Sequence, residues 1–350
     1  MKVLIVGGLG YLGSQIHDAV RALPKLSASI ATRAPFARGQ IKLDLRDPET
    51  FPVMADFDAV VNASDSLSAP PDDAIRWCLD NGVTFIETSS DPETVERLAD
   101  GFRGQNESGG TLVLGAGIFT GMSNLIGARA VGALPGEPDI LDLGISFSPL
   151  SKGGQGMVNL VNHYLNIDTV YYRDGQRRTS THFTDGPTFT YPSGERGSVR
   201  MPFAEATMLQ QSTGAPNVTT YMTPKPGLMR LSFLYTPLVL LRNPIAGALL
   251  WVVFTLLRRV LLSWRTSSVE LSAIATDDEQ NKAECNFSVK DGMKAAGYVV
   301  ASLLDELQNS PPPPGGYLID EIVDADRIVF KLSDFPQLEM KYTPPGAVGA

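Results

Sequence analysis

The stretch VLIVGGLGYLG, residues 3–13, decides how the rest of the chain reads. Val3 to Val6 is an apolar run of the kind that a strand buried on both faces shows. Gly8, Gly10 and Gly13 follow in a G-x-G-x-x-G spacing, with Gly7 in front of them. In such a turn the first glycine permits the tight bend, the second lets the backbone approach a pyrophosphate, and the third lets a helix pack close on the strand. Residues 14–23 place Ile16, Ala19, Val20 and Leu23 at helical spacing. A helix starting here would offer free N–H groups and the positive end of its dipole to an anion. The stretch therefore predicts a dinucleotide site, with Gly7, Gly8, Gly10, Tyr11, Leu12 and Gly13 around the pyrophosphate. A glycine-rich βα turn without a ligand is the competing reading.

The residues that follow point to one dinucleotide. An NAD site calls for an acid about 20 positions further on, to accept from the ribose 2′-hydroxyl. The second strand reads as Ala28 to Thr32, and no Asp or Glu occurs from Ala19 through Leu43. That interval carries Arg21, Lys25, Arg33, Arg38 and Lys42 instead. A 2′-phosphate needs cations and hydroxyl donors, which Thr32 and Arg33 at the strand end and Arg38 in the next loop supply. The expected cofactor is NADP(H).

Alternation of apolar runs and helical stretches continues to about residue 120. Strands are expected at Ile41–Leu45, Phe57–Ala63, Val83–Glu87 and Thr111–Leu114, with helices at Asp72–Asn81 and Pro92–Arg103. This predicts an α/β fold, an N-terminal Rossmann domain with a doubly wound parallel sheet. Ligands in such sheets collect at the carboxyl ends of the strands. Those ends carry Asp44 and Leu45, then Asn62, Ala63 and Ser64, then Thr88, which are the further cofactor candidates.

Beyond residue 135 the pattern changes to long alternating strands. Val269–Thr276 and Ala283–Val289, joined by DDEQNK, read as a hairpin, and Lys290–Leu307 reads as a helix. A C-terminal α+β domain with a mixed or antiparallel sheet, helices on one face, is expected. The expected boundaries are 1–122 for the cofactor domain, 123–310 for a substrate and dimerisation domain, and 311–350 for a tail packing back on the body.

The 350 residues suffice for two cores, and a net charge of −9 argues against a nucleic-acid partner. The two cysteines, Cys78 and Cys285, lie far apart without nearby histidines, so neither a disulfide framework nor a metal site is expected. The chain enters a strand at once, which reads as no signal peptide and a cytoplasmic protein.

Three stretches together resemble the saccharopine dehydrogenase-like oxidoreductases: GGLGYLG (7–13), VVNASDSLSAPPDDAIRWCLDNGVTFIETSSDPE (60–93) and GAGIFTGMSNLIGARAV (115–131). Order and spacing hold over about the first 135 residues, and KDGMKAAGYVVASLLDEL (290–307) has the same look. The resemblance implies a nicotinamide-dependent enzyme that transfers hydride to or from an imine, an amine or an acyl chain, with trans-acting enoyl reductases among its relatives. This chain departs at Phe119–Met122, where the family usually has a proline, and carries Glu87 where Asp is common. Without an arginine cluster spaced for a dicarboxylate amino acid, the substrate stays open between a small molecule and a lipid-like one. A protein that binds NADP(H) as a regulator or scaffold, without turnover, is the reading from another class.

Hydride transfer needs placement and a proton source. Ser123 and Asn124 begin an expected helix and could face the bound molecules, or simply cap it. In GGQGMVNLVNHYLN (153–166), a helix would align Asn159, Asn162, His163 and Asn166 as an uncharged polar stripe. His163 is the candidate general acid, with Gln155, Gly156 and Asn159 as candidate substrate contacts. The segment 244–264 is apolar nearly all round, but its uncharged run, Asn243 to Leu257, is 15 residues, short of the roughly 20 that a span needs. A homodimer interface, a peripheral membrane contact or a cover over a lipid-like substrate each fit it.

Overall fold

The structure, a computed structural model, describes residues 1–104, 109–148, 163–164, 166–181, 183–225, 227, 229–235, 252, 256 and 268–346. In chain order the first elements are β1 (Lys2–Val6), α1 (Tyr11–Arg21), β2 (Ser27–Thr32), β3 (Ile41–Lys42), β4 (Ala59–Asn62), α2 (Asp72–Asp80), β5 (Thr84–Glu87), α3 (Pro92–Phe102), β6 (Thr111–Leu114) and α4 (Ser123–Val131). Then come β7 (Pro138–Phe147), β8 (Thr169–Arg173), β9 (Gln176–Ser180), β10 (Asp185–Tyr191), β11 (Gly194–Arg200), α5 (Glu205–Thr213), β12 (Asn217–Pro224) and α6 (Met229–Tyr235). The last are β13 (Val269–Asp277), β14 (Lys282–Val289), α7 (Gly292–Asn309), β15 (Gly315–Leu318), α8 (Ala325–Leu332) and β16 (Met340–Thr343).

By contacts the chain forms two units, Met1–Leu125 with Met293–Gln337, and Ile126–Gly292 with Leu338–Ala350. The first unit is built on a seven-stranded sheet in the order β15-β6-β5-β4-β1-β2-β3, parallel throughout. Its strands are short, and those at its centre are apolar because both faces are covered. Leu4, Ile5, Val60, Val61, Phe85, Ile86, Leu112 and Val113 have no exposed surface, each such side chain contributing about 1.5–3 kcal/mol. The chain runs β1-β2-β3 to one side, then returns to lay β4, β5 and β6 on the other. The order therefore reverses between β1 and β4, where such sheets bind ligands.

Several expectations shift here. The third strand pairs only over Ile41–Lys42; beyond it Asp44 and Leu45 turn away, the Asp44 N–H donating to Thr50 Oγ1. The first helix starts at Tyr11 rather than Ser14. The linear boundary at 310 gives way to a return of the chain. Residues 293–337 rejoin the first unit, because β15 pairs with the edge of β6 that would otherwise lie bare. Gly316 allows this, since a Cβ there would run into the Phe102 carbonyl. Gly297 lets α7 lie against α1, at 2.6 Å between its would-be Cβ and Gln15 O. Local periodicity carries no trace of either long-range pairing.

The second unit holds a seven-stranded sheet, β10-β11-β12-β7-β13-β14-β16, and a small β8–β9 hairpin. The expected hairpin forms, β13 pairing antiparallel with β14 from Val269 opposite Val289 to Thr276 opposite Lys282. The sheet is mixed and not antiparallel throughout, since β12 runs parallel to β7. One face is apolar, with Leu141, Leu143, Ile145, Val218, Met222, Leu271, Ala273 and Phe287 buried. Residues in register share a face. The other face therefore brings together Ser146, Thr223 and Glu270, under Phe189 and Tyr191, which stand where Gly144 leaves room. Among the described residues no helix is long and apolar enough to cross a membrane.

Candidate cofactor site

The glycine turn is compact, and close backbone contacts make it so. Gly7 takes φ +75°, a left-handed conformation that glycine adopts without steric cost. Gly10 N–H donates to Gly7 O at 2.8 Å, and Gly7 N–H donates to Ala31 O at 3.2 Å. A Cβ on Gly13 would strike Gly7 O, so only glycine lets α1 begin this close to the turn. Gly10 stands at the head of α1 with no side-chain cap, and the first turn, starting Tyr11-Leu12-Gly13, holds no acid. Its N–H groups and dipole form the kind of place that receives an anion.

The exit of β4 lies beside this turn, and that of β5 lies next to it in the sheet. A Cβ on Gly7 would come within 2.9 Å of both Ala63 O and Ser64 N. Asn62 and Glu87 are fully buried at the strand ends. The Asn62 carboxamide donates from Nδ2 to Glu87 Oε2 at 2.8 Å and to Ser66 Oγ at 3.0 Å. Its Oδ1 accepts from Ser64 N–H at 3.1 Å and from Ser64 Oγ at 2.6 Å. Thr88 Oγ1 donates to Asn62 O at 2.7 Å. The hydroxyls that the sequence offers to a cofactor are thus first used to fix the two turns. Burial pushes the Glu87 carboxyl up to about 7, against the hydrogen bonds from Asn62, Ser89 and Ser66, which lower it. Sequence reasoning passed over Glu87 and Ser66 as site residues; an acid closing an otherwise apolar strand was the available signal.

At the far side, beyond β2, Thr32, Arg33 and Arg38 follow one another on the surface. Arg33 and Arg38 are exposed. Asp44 accepts from Arg46 Nε at 3.1 Å and Nη2 at 3.0 Å. The Arg46 hydrogen bonds hold the Asp44 carboxyl below its usual range, and the Arg33 charge adds to this. The fold thus brings Arg33 and Asp44 into one electrostatic neighbourhood. Leu45 is buried and serves the core.

Past β6 the backbone bends sharply. Gly117 has φ +151° and Thr120 φ +56°, an uncommon setting for a residue with a Cβ. Thr120 Oγ1 lies within hydrogen-bond reach of Phe119 O at 2.6 Å and of Ser89 O at 3.2 Å. Ser123 and Asn124 then open α4 as fully buried side chains. The Asn124 carboxamide has no hydrogen-bond partner among the described residues.

His163 is half-buried and belongs to the second unit. Gln155, Gly156 and Asn159 lie outside the described residues, as does 244–264 apart from Val252 and Leu256, both helical and exposed. The second unit holds a polar group that the sequence did not announce. Glu270 Oε2 takes Arg196 Nη1 and Lys225 Nζ, each at 2.8 Å, and Ser193 Oγ at 2.5 Å. Arg196 Nη1 also donates to Ser146 Oγ at 3.0 Å. Burial raises the Glu270 carboxyl, but the Lys225, Ser193 and Arg196 hydrogen bonds outweigh it and hold it at about 2.

No known family model matches the sequence, and no curated protein matches it. Solved structures do. Saccharopine dehydrogenase (L-Glu forming) from Saccharomyces cerevisiae aligns at a TM-score of 0.62 and 15% identity, over 98% of this chain and 99% of that one. The C. glutamicum DAP dehydrogenase, in complex with DAP, aligns at 0.51 and 12% identity, over 94% of this chain and 95% of that one. The chain therefore has a saccharopine dehydrogenase-like fold along nearly its whole length.

Proposed function

We propose that this protein is an NADP-dependent oxidoreductase of the saccharopine dehydrogenase-like type, acting on an imine, an amine or an acyl chain. The observation that carries the reading is the glycine turn at the β1/β4 reversal, backed by Ala63 and Ser64, with exposed Arg33 at the end of β2. Gly7, Gly8, Gly10 and Gly13 would hold the pyrophosphate at the start of α1. Thr32, Arg33 and Arg38 would hold the 2′-phosphate. Arg46 pairs with the Asp44 carboxylate, so Asp44 does not oppose a phosphate at full strength. The turns at Asn62–Ser64 and Thr88 would border the ribose on the nicotinamide side. When bound, the nicotinamide supplies or takes the hydride; the chain supplies binding, orientation and exclusion of water.

The test is a fluorescence titration with NADPH and NADH, on the wild type and on Arg33→Ala. We expect NADPH to bind more tightly, and the variant to lose about 1.5–3 kcal/mol, roughly 10- to 100-fold, for NADPH alone. Equal affinity for both nucleotides in both proteins would remove the NADP assignment. Oxidation of NADPH with imine or acyl-chain substrates then separates an enzyme from a binding protein without turnover.

A further inference from the structure

Glu87 has no part in the reading above, yet it is the residue on which the site's polar groups converge. Its side chain is fully buried and accepts hydrogen bonds from Asn62 Nδ2 at 2.8 Å, Ser66 Oγ at 3.0 Å and Ser89 N–H at 2.8 Å, to which the Thr88 backbone adds. Asn62 closes β4, Ser66 sits in the turn after it, and Ser89 sits in the turn after β5. The same Asn62 carboxamide turns its oxygen to Ser64 N–H and Oγ. Ser64 N and Ala63 O are in turn the atoms that crowd Gly7. One carboxylate thus leads, through a single side chain, to the backbone that abuts the glycine turn.

We propose that Glu87 is a positioning residue of the nucleotide site: its carboxylate, through Asn62 and Ser66, holds the Asn62–Ser66 turn against the glycine turn, so nucleotide affinity follows the ionisation of this buried side chain. The inference rests on the nucleotide reading given above. Hydrogen bonds to a charged acceptor are about twice as strong as neutral ones. On protonation, Ser66 Oγ can turn to accept from the new O–H, and the Asn62 and Ser89 bonds become neutral. The turn is then held more loosely. The groups that face Glu87 from the β4 and β5 exits, Asn62, Ser66 and Ser89, carry no charge. From β6 the contact is backbone, Gly115 N–H donating to Glu87 O. Of the acids in the same two turns, Asp65 is exposed and Asp91 caps α3 by accepting from Thr94 N–H at 2.7 Å. Burial places the ionisation near neutrality, at about 7.

The test is the dissociation constant for NADPH between about pH 6 and about pH 8, for the wild type, Glu87→Gln and Ser66→Ala. Comparing the proteins cancels the titration of the nucleotide's own phosphate. We expect the wild type to weaken roughly three- to tenfold more than Glu87→Gln on acidification, the effect of bonds to a charged group turning neutral. Ser66→Ala keeps the carboxyl and removes one donor to its charged form, so its inflection should move to higher pH. Should Glu87→Gln fail to fold, that inflection decides alone. Parallel pH curves in all three proteins would overturn the proposal. So would a wild type that tightens on acidification relative to Glu87→Gln, since the carboxylate would then act on the bound phosphates directly. A wild type that binds no nucleotide at any pH would overturn the nucleotide reading, and this inference with it.

Discussion

The two sheets handle polar residues in opposite ways. In the parallel sheet the central strands β4, β5 and β6 are apolar over most of their length, and the polar groups of the site, Asn62, Ser64, Glu87 and Thr88, stand at or just past a carboxyl terminus. In the mixed sheet the charges lie on the strands themselves, with Glu270 on β13 and Arg196 on β11 meeting across a face. The difference follows from cover. A sheet buried on both faces has no place for a charge except at its rim, whereas a sheet with one apolar face leaves the other for polar contacts. The first arrangement makes a rim that backbone amides can turn toward a ligand. The second makes a cluster in which one carboxylate, Glu270, pairs with two cations, Arg196 and Lys225.

The rim is broken most severely at its narrowest point. Gly13→Ala places a Cβ against Gly7 O. We expect a loss of more than about 3 kcal/mol in denaturant unfolding and no measurable nucleotide binding. Folding and binding as in the wild type would show that the turn has slack the structure does not display.

The cluster in the mixed sheet is next. Glu270→Ala leaves Arg196 and Lys225 facing each other without their carboxylate, at a cost of about 2–3 kcal/mol, reduced because both cations are partly exposed. The pH dependence has a defined sign. Glu270 ionises at about 2 in the folded chain against 4.5 ordinarily, so its stabilisation is complete above about 4.5 and is lost as pH falls toward about 2. Glu270→Gln should flatten that acid limb of the unfolding midpoint.

Glu87 sets the opposite slope, which sharpens the contrast. Its folded value is raised to about 7 from 4.5. Its neutral form is therefore favoured in the folded chain, and the contribution is most favourable below about 4.5. Stability should fall by about 3 kcal/mol as pH rises from about 4.5 through about 7. Thermal unfolding of Glu87→Gln across that window should lack this fall. The same dependence in the variant would assign it to other groups.

The smallest effect on stability belongs to the exposed apolar surface. Val252 and Leu256, four positions apart, are 53% and 56% exposed. Replacing both by Asp should change the unfolding free energy by less than about 0.5 kcal/mol. If the 244–264 segment forms a dimer contact, the same double variant loses its self-association in sedimentation equilibrium.

Much of the first unit is legible in the chain because its signals are local. The run Val3–Val6, the three spaced glycines, the lack of acids from Ala19 to Leu43 and the small residues after β4 each state their meaning within about 20 positions. The expected strand Thr111–Leu114 and the hairpin Val269–Val289 rest on equally short-range patterns. Less of the site is legible. Glu87 reads as one more strand residue until β4 and β5 pair and set Asn62 beside it. Arg196, Lys225 and Glu270 span 74 positions and share no motif.

The sequence alone determined the glycine turn, the alternation that makes a parallel sheet and the cationic stretch after β2, since steric need and periodicity act between near neighbours. Tertiary structure alone decided that residues 293–337 return to the first unit, that β12 lies parallel to β7 and that Glu87 gathers its donors. Those outcomes depend on which strand edge is left unpaired and which buried polar group lacks a partner. Only the folded chain brings such edges and groups within hydrogen-bond reach.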